Sequence, residues 1–105
     1  MVLAWFNTKE VDAVADRLVH DLKSRVPPGA EAATDKKQSV RLDKAYVQVF
    51  GHAAEFAQGH PLNVYKKARL ANRFKWALLE AGYAQEFVDD MTYRLAAVVA
   101  SRDKP

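Results

Sequence analysis

Apolar residues recur at helical spacing in four blocks of this chain, and helix-stopping residues separate the blocks. In residues 8–26, Val11, Val14, Ala15, Leu18, Leu22 and Val26 share one face, with Asp12, Asp16, His20 and Lys23 opposite. That pattern predicts a one-sided amphipathic helix. Asn7 with Glu10 three residues on forms a capping box at its start, and Phe6 is placed to staple onto Val11. Pro27-Pro28-Gly29 ends the block, and residues 27–34 read as a linker.

Residues 35–58 are richer. Leu42, Ala45, Tyr46, Val47, Val49, Phe50, Ala53, Ala54, Phe56 and Ala57 cover more than half of a helical circumference, leaving a narrow stripe of Lys37, Arg41, Lys44, Gln48, His52 and Glu55. A helix that apolar is expected to be contacted from several sides. A short strand over 45–50 competes, because that run is rich in β-branched and aromatic residues and stops at Gly51. The unbroken polar stripe from Lys37 to Glu55 favours the helix, with Gly51 as the point where it can bend and Gly59 as its C′ residue before Pro61.

Residues 63–81 begin at Asn63, an N-cap residue type, and end at Gly82, the C′ position; Val64, Ala68, Leu70, Ala71, Phe74, Leu78 and Leu79 are the expected core face. Residues 84–101 place Phe87, Val88, Met91, Leu95, Val98 and Val99 together, with Glu86, Asp89 and Asp90 outside, in the turns where the helix dipole favours acids. The expected fold is all-α: a four-helix bundle-like single domain over 1–105, with helices at about 8–26, 35–58, 63–81 and 84–101. Helices two and three are expected at the centre, with short connections making sequence neighbours antiparallel. Residues 1–7 form an apolar N-terminal arm, and 102–105 a frayed tail.

Composition narrows the classes. Half of the 105 residues are hydrophobic and 28% charged, a balance foreign to disordered chains. No apolar run reaches the length of a membrane span, and no signal-peptide pattern opens the chain, so a cytoplasmic protein is expected. The absence of cysteine excludes disulfides, thiolate nucleophiles and iron–sulfur clusters, and suits a reducing compartment. The net charge of +3 is unevenly placed: residues 62–82 hold Lys66, Lys67, Arg69, Arg73 and Lys75 against Glu80 alone.

That segment carries the main chemical signal. Tyr65, Lys66, Arg69, Asn72, Arg73 and Trp76 lie opposite the core face of the third helix, so rings and cations alternate along one strip. Rings that stack on bases and cations that hold phosphates make Tyr65, Lys66, Arg69, Arg73 and Trp76 the candidate nucleic-acid or anion-binding residues. The competing reading is packing, with the rings against a neighbouring helix and the cationic stems laid over them. The exposure of Trp76 separates the two. A helix-turn-helix docking is disfavoured, because the helix after Gly82 would present Glu86, Asp89 and Asp90 to the DNA.

His20, His52 and His60 have carboxylates near the first two (Asp16 at i−4, Glu55 at i+3), but the spacings match no metal-binding motif, so no metal is expected. No Gly-x-Ser-x-Gly or Gly-rich phosphate loop is present; Asp43, towards the apolar side of the second helix, is the one carboxylate placed for burial. No catalytic residue, enzymatic activity or cofactor is expected. The arm residues Leu3, Trp5 and Phe6 are the expected association surface, since aromatic anchors are enriched in interfaces. The function expected is a non-enzymatic protein-interaction module that self-associates. The alternative is a nucleic-acid-binding module working through the third helix.

Overall fold

A computed structural model describes residues 9–32, 35–59 and 62–101; among them are four α-helices and no strand. The helices are α1 (Lys9–Arg25), α2 (Lys36–Gly59), α3 (Val64–Ala81) and α4 (Gln85–Ser101). The all-α bundle and its boundaries follow the periodicity closely, and 45–50 is helical. Leu3, Trp5 and Phe6, the Asn7 cap, His60, Pro61 and the tail lie outside the described residues.

The local signals act as their chemistry requires. The Asn63 side chain accepts a hydrogen bond from the Lys66 backbone N–H at 2.8 Å, capping α3. Gly82 ends that helix at φ 103°, with its N–H donating to Leu79 O and that of Tyr83 to Leu78 O. This is the paired closure that favours glycine at C′. Asp35 caps α2 by accepting from the Gln38 backbone N–H at 2.8 Å.

The arrangement differs from the expected one with α2 and α3 at the centre. α1 packs most extensively on α3, α3 on α4, α1 on α2 and α2 on α4, so the helices form a ring in which α2 and α3 stand diagonally. Asp12 pairs with Arg69 and Asp16 with Arg73, so the sequence numbers rise together and α1 runs parallel to α3. The pairs α1–α2 and α3–α4 do pack as antiparallel neighbours, but α2 and α3, also consecutive in the chain, stand on opposite corners of the ring.

One core fills the ring: Val11, Ala15, Leu18 and Leu22 from α1; Val49, Phe50 and Ala53 from α2; Leu70, Phe74 and Leu78 from α3; Val88, Met91, Leu95 and Val99 from α4. Phe50 and Phe74 meet across the diagonal, ring centroids 6.4 Å apart, in an edge-to-face pair. Val64 departs from the expected core face and is 80% exposed, and Ala68 is exposed as well. The buried stripe of α3 is instead Leu70, Phe74 and Leu78 at i, i+4, i+8, and both residues lie to one side of it.

Residues 27–32 of the expected linker are structured. Ala30 N–H donates to Pro27 O and Ala32 N–H to Gly29 O, making a short 3-10 turn. Glu31 in that turn accepts from Gly29 N–H with one carboxylate oxygen and from Ala84 N–H, just ahead of α4, with the other. The buried Tyr83 hydroxyl donates to the Val26 carbonyl at the end of α1. These contacts tie one end of the bundle together.

Candidate interaction surfaces

The basic and aromatic strip of α3 lies where the sequence places it, on the outside, but its two arginines are engaged. Arg69 meets Asp12 through a bidentate fork at 2.9 and 3.2 Å, and Arg73 meets Asp16 in the same way at 2.9 and 3.0 Å. Arg73 also reaches Asp12 at 3.9 Å. Fork-to-carboxylate geometry is the strong form of this contact, and it clasps two parallel helices whose like dipole ends lie side by side. The hydrogen bond Arg69 donates to Asp12 first, and the Asp12 charge second, raise the Arg69 guanidinium above its ordinary pKa; Asp16 does the same to Arg73. The carboxylates expected on the solvent side of α1 are thus the counter-ions of this strip.

Trp76 is 59% exposed and Tyr65 39%. The Lys75 ammonium stands 5.6 Å from the centre of the Trp76 ring. Lys66 is half-buried. An open depression of about 470 Å³ beside Trp76 is lined by Arg69, Arg73 and Asn72, but also by Asp16 and Glu80. An anion entering it would meet two carboxylates, and the guanidiniums would have to leave Asp12 and Asp16.

A second surface was not singled out from the sequence. α2 is buried along one stripe only, and its excess of apolar circumference is left uncovered: Val40 is 49% exposed and Val47 71%. On the parallel neighbour α4, Tyr93 is 75% exposed. Between them lies an open groove of about 480 Å³, lined by Tyr46, Val47, Phe50, Tyr93, Ala97 and Val98, with Asp43 and Arg94 at its edge. A smaller depression lined by Val40, Asp43, Lys44, Val47 and Gln48 continues it along α2. Tyr46 forms part of the wall, with its ring 5.4 Å from the Arg94 guanidinium and 6.1 Å from the Phe87 ring. Burial raises the pKa of the Tyr46 phenol, against the opposing pull of Arg94.

The remaining candidates are placed as follows. Asp43, expected towards the apolar side, is exposed, because α2 turns that edge to solvent. His20 is exposed, and His52 Nδ1 lies 3.3 Å from Asp21 Oδ2 across the α1–α2 seam. Among the described residues no group of three His, Asp or Glu side chains is placed to hold a metal ion, and no helix is long and apolar enough to cross a membrane. The sequence signal for the missed surface was the apolar excess of α2, read as contact with several helices; the second row of contacts it implied is absent among the described residues.

Comparison with protein-family models, curated proteins and solved structures found no match.

Proposed function

We propose that this chain is a small, non-enzymatic helical interaction module that associates with a second copy of itself through the α2/α4 face. The observation that carries the reading is the exposure of Val47 and Tyr93 along one apolar groove. A continuous apolar patch with a charged rim is the composition of an interface core, and an aromatic is its usual anchor. A domain of 105 residues has a small core of its own, so covering this patch adds a useful increment of stability. The cytoplasm, where a chain without cysteine loses nothing, is the setting we assign it.

A second reading, nucleic-acid binding, has the exposed Trp76 beside Lys75 in its favour. The engagement of Arg69 and Arg73 with Asp12 and Asp16 weighs against it.

Light scattering on a column across a wide concentration range tests the main reading. The wild-type chain should approach twice its own mass on concentration, and Val47→Asp, a change on an exposed position, should stay monomeric with its helicity intact. A wild-type monomer throughout would defeat the self-association reading. Salt-sensitive oligonucleotide binding by that monomer would bring the α3 strip forward.

A further inference from the structure

The outward stripes of α2 and α4 share one pattern. On α2 it runs Lys44, Val47, Gly51, Ala54; on α4 it runs Asp90, Tyr93, Ala97, Ala100. Both have the alternating three- and four-residue spacing of helices packed at a shallow angle. Both are charged towards the helix start and apolar or small beyond, and all these residues are exposed except Ala54, which is half-buried. The charges are opposite. The first half of α2 with its cap holds Lys36, Lys37, Arg41 and Lys44 against Asp35 and Asp43, whereas α4 opens with Glu86, Asp89 and Asp90 and has no cation before Arg94.

These charges stand at the same end of the bundle, because α2 and α4 run parallel: Tyr46 meets Phe87 and Arg94, and Val47 and Tyr93 line one groove. A two-fold axis parallel to the helices keeps every residue at its own level and exchanges left for right. It therefore lays α2 on the α4 of the second copy, twice over.

We infer that two copies pair with α2 of each against α4 of the other, in the register Lys44–Asp90, Val47–Tyr93, Gly51–Ala97 and Ala54–Ala100. This rests on the reading of the α2/α4 face as a self-association surface. A single offset satisfies all four pairs, matching a cation with a carboxylate at one end and small residues with small residues at the other. At Gly51 a Cβ would find no atom within 4 Å, so a neighbouring helix has room to come close. Asp90 already accepts from Arg94 of its own helix at 3.2 Å, but a carboxylate has capacity for a second cation. The other two-fold arrangement, with α2 antiparallel on α2, brings the basic start of one helix against the Ala54 end of its copy and leaves the acids of α4 opposite Ala96 and Ala100.

Because the chain has no cysteine, engineered thiols report the register without background. Ala54→Cys and Ala100→Cys chains, mixed under mild oxidation, should give the mixed disulfide and little of either symmetric one. In sedimentation, Lys44→Glu and Asp90→Lys should each weaken the dimer roughly tenfold at low salt, since each change reverses two ion pairs. The double variant Lys44→Glu/Asp90→Lys should recover most of the loss. A dimer in which Ala54→Cys crosslinks to itself, or in which the double swap recovers nothing, overturns this pairing and leaves self-association standing. A wild-type chain that stays monomeric overturns both.

Discussion

Tyr83 concentrates several of the forces that hold this fold. Its ring is buried and stacks on Phe87 at 5.0 Å, and its hydroxyl donates to the Val26 carbonyl. Burial first, then the nearby Glu31 carboxylate, push its pKa up to about 12. A phenol whose pKa is higher folded than unfolded contributes stability that is complete below its ordinary value of about 10 and is lost as pH rises through 12. Urea unfolding should therefore show a loss of about 2–3 kcal/mol between pH 10 and 12 from this residue. Tyr83→Phe should cost about 1–3 kcal/mol at neutral pH, by leaving the Val26 carbonyl without its partner, and should flatten that alkaline decline. An unchanged alkaline slope in the variant would assign the titration elsewhere.

Among the elements, the turn at residues 30–32 does more than connect. Glu31 caps α4 from outside the helix, satisfying the Ala84 N–H with a carboxylate at the positive end of the dipole. Glu31→Ala should cost about 1 kcal/mol in urea unfolding. The loss should show first as faster amide exchange in the opening turn of α4, and equal exchange there would deny the cap its role. This contact was not legible in the sequence, because Glu31 and Ala84 are joined only by the fold; a lone acid in a small-residue segment has no periodicity to mark it. The helices themselves were legible. Leu70, Phe74 and Leu78 recur at a fixed interval, and Asn63 and Gly82 carry their chemistry locally. Arg69 and Arg73 fall between: their face was readable, but not their partners, because Asp12 and Asp16 come from a parallel helix that no short connection implies.

On the scale of the whole molecule, the ring of four helices accounts for where the apolar surplus of α2 goes. With α1 on one flank, α4 on the other and α3 met only across the core through Phe50 and Phe74, α2 keeps an outer side on which Val40 and Val47 are exposed beside Tyr93. The sequence held that surplus openly, while the face it would occupy depended on the order of helices around the ring. The same order turns the α3 strip towards the carboxylates of α1, which is why the two surfaces exchange rank once the fold is known. The proposed meeting of two copies on the α2/α4 face can be read from amide chemical shifts followed by NMR through a dilution series. Shifts that change with concentration should gather at residues 43–54 and 90–100, with α1 and the outer strip of α3 unmoved. Changes centred on Trp76, or none at any concentration, would contradict it.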